Sequence, residues 1–162
     1  MKRSFLLVAA VALFAGPALC QNMTEIDHAR SGANCPRCNL FQADFTDARL
    51  IGRDYAGSRL RQADMSASVM NRTDFAHADL RNVNAFGGVF SSADFAGANL
   101  SQASFVGTYL EGANFGGARL AGTNFSGAEM DRARGLTQRQ LDEACGDNST
   151  KLPPGLSIHA CD

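Results

Sequence analysis

Residues 97–125 read GANLSQASFVGTYLEGANFGGARLAGTNF and place a Leu or Phe at every fifth position. An α-helix turns about 100° per residue, so side chains five residues apart drift away from a common stripe. In a β-strand, an odd step of five sends successive large side chains to opposite faces. A period of five therefore excludes both a straight helix and a straight strand for this stretch.

The same period continues without a slip through nineteen units, and such a fixed period is the signature of a repeat architecture. A small residue, usually Ala, stands two positions before each large residue, with Asp or Asn commonly between them. Gly is frequent two positions after the large residue. A unit this short buries its large and small residues together only if the chain turns a corner within each unit. The large positions are Leu40, Phe45, Leu50, Tyr55, Leu60, Met65, Met70, Phe75, Leu80, Ala85, Phe90, Phe95, Leu100, Phe105, Leu110, Phe115, Leu120, Phe125 and Met130.

Steps of twenty residues reveal how the corners close. Four quarter-turns make a square coil of twenty residues, and stacked coils favour columns of matched side chains at strand spacing. One column is all leucine and the next is all aromatic, whereas steps of ten or fifteen give mixed columns. The two columns are Leu40, Leu60, Leu80, Leu100, Leu120 and Tyr55, Phe75, Phe95, Phe115. The sequence therefore predicts a square parallel β-solenoid.

These units resemble the pentapeptide-repeat family, whose consensus is A-(D/N)-L-x-x, over residues 38–132. The resemblance implies an all-β fold, a right-handed quadrilateral parallel β-helix with the large and small residues pointing inward. At about 4.8 Å per coil, the rod would be roughly 23 Å long. We expect four segments: a signal peptide at 1–20, an N-terminal flank at 21–37, the solenoid at 38–134, and a capping helix with a disulfide-closed tail at 135–162.

Two units depart from the pattern. Val83 takes the small site and Ala85 the large one, a swap that roughly conserves core volume and should be tolerated. Arg53 occupies an inward small site, where an unpaired buried guanidinium is costly. We expect the first coil to be distorted at Arg53, with the charge reaching solvent along its aliphatic stem.

The first twenty residues predict export. Lys2 and Arg3 precede an apolar run at 5–15 and the breaking pair Gly16–Pro17, which is typical of a secretory signal peptide and too short for a membrane span. Cleavage after Cys20 and lipidation of Cys20 are both open. Without residues 1–20 the chain has 13 basic and 16 acidic residues, a net charge of −3. We expect a periplasmic or secreted protein with no membrane span.

The C-terminal flank is predicted to cap the open end of the rod. Thr137 and Gln140 fit a capping box, and Leu136 with Leu141 fits the accompanying hydrophobic staple. The pattern predicts a short helix from about Gln138 to Cys145, with Gly146 as its stop. The tail would then return as a loop.

Cysteine usage predicts two disulfides, Cys35–Cys38 and Cys145–Cys161, one at each end of a rigid rod. The CPRC motif at 35–38 leaves a CxxC redox protein as an alternative, although such a pair normally follows a strand and opens a helix. The two pairs are too far apart for a four-cysteine zinc site. The histidines His28, His77 and His159 share no ligand spacing, so we predict no metal, no cofactor and no catalytic site.

The family resemblance raises another alternative, because some pentapeptide-repeat proteins inhibit DNA gyrase by mimicking duplex DNA. That mechanism needs a strongly acidic surface, yet residues 38–134 hold 10 acidic and 9 basic residues. Asp54, Asp74 and Asp94 form one acidic column, and their expected role is hydrogen bonding to neighbouring turns. We predict no nucleic-acid partner.

One outward corner of the predicted coil is apolar, and it is our candidate protein-binding site. The residues are Val69, Val89 and Tyr109 in one column and Phe86 and Val106 in the adjoining one. Exposed apolar patches commonly mark interaction sites. The sequence therefore favours a non-enzymatic, exported scaffold or protein-interaction module, with an unidentified protein partner or self-association through this patch. A fold-back of the C-terminal tail over these residues is the alternative.

Overall fold

A computed structural model describes residues 22–162, so the predicted signal peptide and Cys20 lie outside the described residues. Backbone pairing is parallel and joins residues twenty apart, from Asn39 with Arg59 to Asn114 with Arg134. The coil therefore has twenty residues and four faces, as predicted. We number the faces 1 to 4 by the large residues of one coil, Leu80, Ala85, Phe90 and Phe95.

Each corner is a β-turn that begins at a large residue. The Leu40 carbonyl accepts a hydrogen bond from Ala43 N at 3.1 Å, and Gln42 between them has φ 55°. A positive φ at the third residue defines a type II turn and favours Gly. The same geometry recurs every five residues from Arg37 to Gly127, and ten of these nineteen corner positions carry a side chain.

The core is a column of inward side chains along the axis of the rod. All nineteen predicted large residues are at most 3% exposed. The aromatic column of face 4 stacks: the ring centroids of Phe75 and Phe95 are 5.4 Å apart, and those of Phe95 and Phe115 are 5.3 Å apart. Where Ser or Thr takes the small site, its hydroxyl bonds a carbonyl, as Ser58 Oγ does to Tyr55 O at 2.6 Å. The predicted quadrilateral parallel β-helix is confirmed.

A helix that the sequence analysis did not predict covers the N-terminal end of the rod. Helix α1 (Met23–Arg30) starts at Asn22, whose side chain accepts from Glu25 N. Its buried face carries Ile26 and Ala29. The Glu25 carboxylate accepts a hydrogen bond from Asn39 N, an amide of the first coil. Helix α1 therefore supplies both apolar cover and hydrogen-bond partners to the first coil.

The C-terminal helix is shorter than predicted. Helix α2 spans Gln138–Leu141 with the expected capping box between Thr137 and Gln140. The predicted continuation to Cys145 is wrong, because Cys145–Gly146 form strand β1, which pairs in parallel with strand β2 (His159–Ala160). Cys145 also pairs with Asn124. Strand pairing gives this backbone partners on both sides, so the stacking of face 2 continues beyond the last repeat.

Arg53 departs from the other corners, as expected. Elsewhere the small residue donates its N–H to the preceding large residue, but the Leu50 carbonyl instead accepts from Thr73 Oγ1 at 2.8 Å. The side chain of Arg53 is half-buried, and its Nε has no hydrogen-bond partner among the described residues. The coil nevertheless keeps its register, since Asp54 pairs with Asp74.

Candidate protein-interaction surface

We call the five predicted residues Val69, Phe86, Val89, Val106 and Tyr109 the apolar corner. Val69 pairs with Val89, and Val89 pairs with Tyr109, so these three form one column of face 3. Phe86 is 58% exposed and Tyr109 is 49% exposed, while the three valines are half-buried. Among the described residues, the only other exposed large apolar side chain is Met23. The apolar corner therefore concentrates exposed apolar surface across three coils.

The backbone beneath the apolar corner is fixed by hydrogen bonds between coils. Phe86 O accepts from Ala67 N at 2.8 Å, and Val106 O accepts from Gly87 N at 2.9 Å. Gly87 and Gly107 hold the turn positions with φ 64°, and no heavy atom lies within 4 Å of where a Cβ would stand. The glycines that follow Phe86 and Val106 thus contribute no side chain to the corner.

The C-terminal tail does not cover the apolar corner. Its contacts fall one coil further along: Cys161 Sγ lies 3.5 Å from Ser126 Oγ, and Asp147 Oδ1 accepts from Gly127 N at 3.0 Å. Lys151 Nζ lies 2.8 Å from Glu129 Oε1. The tail therefore closes the end of the rod and leaves Phe86 and Tyr109 open to solvent.

Charged side chains frame the apolar corner along face 3. Arg49 and Arg72 lie toward the N-terminal end, and neither forms an ion pair with another described residue. Toward the C-terminal end, Glu111 pairs with Arg132 at 2.7 Å. The hydrogen bond from Lys151 to Glu129 raises the pKa of Lys151 above its usual value. The free positive charges and the exposed carboxylates thus occupy opposite halves of the face.

The four cysteines within residues 22–162 lie at the two ends of the rod. The structure pairs Cys35 with Cys38, Cα–Cα 5.4 Å, and Cys145 with Cys161, Cα–Cα 4.9 Å. Cys35 is 3% exposed and occupies the inward large position one unit before Leu40. The Cys35 sulfur is therefore shielded from attack by an external thiol, which favours a structural role over redox exchange. Within residues 22–162, no cluster of His, Cys, Asp or Glu is arranged to hold a metal ion.

The acidic column of face 4 bonds the backbone of its own turns. Asp54, Asp74 and Asp94 accept hydrogen bonds at 2.8–2.9 Å from the amides of Ala56, Ala76 and Ala96. Asn114 continues the column and donates to Asp94 Oδ1 at 3.0 Å. These carboxylates stabilise the turns, as the sequence analysis expected, and a neutral amide ends the acidic stripe.

The role of α1 in closing the rod was missed, although the sequence carries a signal for it. Asn22 and Glu25 have the spacing of a capping box, and Ile26 and Ala29 fall on one helical face. The two ends of the rod are built by different elements, α1 at one end and α2 with β1 and β2 at the other.

No helix within residues 22–162 is long and apolar enough to cross a bilayer.

The fold defines a class of protein: quadrilateral parallel β-solenoids built from five-residue units. Residues 56–84 and 89–127 match the family model described as pentapeptide repeats, in eight copies. These residues belong to the pentapeptide-repeat family, and the described chain has the β-helix fold of that family. Residues 85–88, between the two matched ranges, include Ala85 at a large site and the exposed Phe86. Of the apolar corner, Phe86 lies in this break, and the other four residues lie within the matched ranges.

Two solved structures share this fold. HetL, a pentapeptide repeat protein involved in heterocyst differentiation regulation from the cyanobacterium Nostoc sp. strain PCC 7120, is 23% identical with a TM-score of 0.50. The match covers 82% of this chain but 57% of HetL. The pentapeptide repeat protein alr5209 from Nostoc PCC 7120 is 18% identical with a TM-score of 0.53, over 85% of this chain and 88% of its own. At these identities the likeness establishes the fold alone.

A third structure is QnrB1, a plasmid-mediated fluoroquinolone resistance protein. It is 21% identical over 68% of this chain and 61% of its own, with a TM-score of 0.42. That similarity is too low to support a functional argument. No curated protein sequence matches this chain significantly.

Proposed function

We propose that this pentapeptide-repeat protein is a non-enzymatic interaction module that binds another protein through the apolar corner. The observation that carries the proposal is the exposure of Phe86 and Tyr109 on adjoining columns, with three valines around them. Aromatic side chains are enriched among the residues that dominate binding energy. The rigid coil beneath them lowers the cost of binding, because little conformational freedom is lost.

We further propose that the protein works outside the cytoplasm. The basic and apolar pattern of residues 1–20 supports this, as do the two cysteine pairs, which suit an oxidising compartment. Fractionation of cells that express a C-terminally tagged chain tests the proposal. We expect the tag in the periplasm or medium on a chain shortened by about twenty residues, a typical signal-peptide length. A full-length cytoplasmic chain would contradict it.

The two alternatives have less support. A DNA mimic needs a continuous acidic surface, but Asp54, Asp74 and Asp94 are engaged by turn amides and the column ends at Asn114. A CxxC redox protein needs an accessible nucleophilic sulfur, but Cys35, the first cysteine of the motif, is buried and Cys38 is half-buried.

The binding test compares two double variants. Phe86→Ser with Tyr109→Ser removes the two exposed rings of the apolar corner. Ala96→Ser with Arg119→Ser changes the corresponding positions ten residues later, two faces around the coil, and serves as the matched control. We expect partner recovery from the exported fraction to fall at least tenfold for the first variant alone, with unchanged unfolding midpoints. Equal recovery with both variants would contradict the proposal.

A further inference from the structure

Face 3 carries a charge pattern that reverses about its middle coil. The column that includes the apolar corner reads Arg49, Val69, Val89, Tyr109, Glu129 in steps of one coil, each paired with the next. Arg49 and Glu129 are therefore each two coils from Val89, on opposite sides. At about 4.8 Å per coil they are separated by about 19 Å along the rod.

The neighbouring columns of the same face repeat this arrangement one coil from the centre. Arg72 lies one coil below Val89, and Glu111 lies one coil above it. No carboxylate within residues 22–162 pairs with Arg49 or Arg72, while Glu111 and Glu129 are exposed enough to accept a second cation. One half of the face thus carries two unpaired cations, and the other half carries two accessible carboxylates that already pair with Arg132 and Lys151.

We propose that the partner of the apolar corner is a second copy of this chain, packed face 3 against face 3 with the two rods antiparallel. This rests on the proposed function, because it takes the apolar corner as the binding surface. The twofold axis crosses the rod at Val89 and lies in the plane of contact. Such an axis keeps each column opposite itself and exchanges the coils above and below the centre, which is the self-complementarity that a twofold interface requires.

The antiparallel arrangement brings the two unpaired cations toward carboxylates and the apolar residues toward one another. Arg49 of one copy faces Glu129 of the other, and Arg72 faces the coil that carries Glu111. Val69 faces Tyr109, and the two Phe86 rings meet beside the axis. A protein interface usually has apolar groups at its centre and charged groups at its rim.

The parallel alternative fits poorly. A twofold axis along the rod exchanges the two sides of the face, so Arg72 and Glu111 would lie against Val69 and Tyr109. Charged groups placed on apolar ones lose hydration without gaining a partner. Like-charge neighbours remain in the antiparallel dimer. Lys151 and Arg132, which pair with Glu129 and Glu111, approach Arg49 and Arg72 of the other copy. Asp47 faces Gly127, whose amide binds Asp147. We therefore expect Asp47→Ser to strengthen the dimer.

Sedimentation of the purified protein across a wide concentration range tests the proposal. We expect a monomer–dimer equilibrium that weakens with added salt, because the rim pairs are exposed. Arg49→Glu and Glu129→Arg should each weaken the dimer about tenfold, and the two changes together in one chain should restore it, since the opposed charges are then exchanged. Arg119→Glu, a matched charge reversal on face 1, should leave the dimer unchanged.

Each outcome decides the proposal. A wild-type protein that stays monomeric at every concentration overturns it, as do single charge reversals without effect or a double variant that dimerises no better than the singles. If the wild type is monomeric but Phe86→Ser with Tyr109→Ser still abolishes recovery of a different protein, the dimer is wrong and the proposed function stands. If neither association depends on these rings, both are wrong.

Discussion

The Tyr55 hydroxyl donates a hydrogen bond of 3.1 Å to the backbone oxygen of Ala29, which joins the buried aromatic column of face 4 to helix α1. This contact explains why the first aromatic of the column is Tyr whereas the next three are Phe. Burial raises the pKa of Tyr55 to about 12, with Arg53 opposing the shift. The ring is fully buried, so the hydroxyl needs this partner.

Tyr55→Phe should lower the free energy of unfolding by about 0.5–1.5 kcal/mol, the usual net worth of one hydrogen bond. The cost is modest because Ala29 O also accepts from Gly32 N. Alkaline pH should remove and then reverse this difference, because only the wild type carries the buried phenol at position 55. The raised pKa stabilises the neutral phenol, so the wild type loses about 2–3 kcal/mol as pH rises from about 10 to about 12. Denaturant titrations of both proteins at pH 8 and pH 11 check this; an identical loss in the variant would contradict it.

Phe95→Ala should cost about 3–5 kcal/mol, because the coils on either side of the ring cannot collapse into the void. Phe95 is fully buried and stacks on Phe75 and Phe115. The control Ser92→Ala, at an exposed corner, should stay within about 0.5 kcal/mol. Chemical denaturation of the two variants measures the difference, and equal small effects would be incompatible with the register.

Opposite substitutions at two positions of one corner column should change the free energy of unfolding in opposite directions. Ala67 has φ 53° and Gly107 has φ 64°, both left-handed. Gly107→Ala should destabilise by about 1 kcal/mol from the backbone alone, because no atom lies within 4 Å of the added Cβ. Ala67→Gly should stabilise by about 0.5 kcal/mol, since relief of strain exceeds the added entropy of the unfolded chain. Thermal unfolding of both variants checks the signs; shifts in the same direction would refute this account of the corners.

Acid should release the C-terminal tail. Hydrogen bonds from Ser149 and from the Gly127 amide, with a further one from Thr150, lower the pKa of Asp147 from 3.8 to about 2. A lowered pKa stabilises the bound tail above about pH 4, and this stabilisation is lost as pH falls from about 4 to about 2. Amide exchange at Gly127 and Ser149, corrected for intrinsic rate, should rise over that range. Asp147→Asn should abolish the pH dependence, and a pH-dependent rise in that variant would assign the effect elsewhere.

The four cysteines after residue 20 should form two disulfides and leave no free thiol. Mass spectrometry of unreduced peptides should find Cys35 linked to Cys38 and Cys145 linked to Cys161. The second bridge closes a loop of sequence separation 16 and should be worth about 3 kcal/mol in the chain-entropy model. Four free thiols, or bound zinc, would contradict the oxidised account.

The repeated part of the fold could be predicted from the sequence because each unit reports the same geometry. A fixed period of five, with matched columns at steps of twenty, is compatible only with a coil of four five-residue units. The identity of the inward residues follows from that coil. The ends could not be predicted in the same way. Strands β1 and β2 carry two residues each and no period, and their positions depend on pairing with Asn124 and on the tail contacts.

The candidate site could be predicted from the sequence only in part. Steps of twenty place Phe86 and Tyr109 on adjoining outward columns, and that placement follows from the coil alone. Whether the tail covers them depends on the fold of residues 145–162, where the sequence has no repeat. The sequence likewise does not show which charges are paired. That Glu129 pairs with Lys151 while Arg49 and Arg72 have no ion pair within residues 22–162 depends on the placement of side chains from different coils.

Site-specific photo-crosslinking from the apolar corner tests the central claim most directly. A photoreactive phenylalanine in place of Phe86 retains the ring at the apolar corner, and the same group in place of Ala96 occupies the equivalent turn position on the opposite corner. We predict crosslinked protein adducts from position 86 and few or none from position 96, with a second copy of this chain among the adducts. Adducts of equal yield from both positions, or none from position 86, would contradict the claim that this corner is the interaction surface.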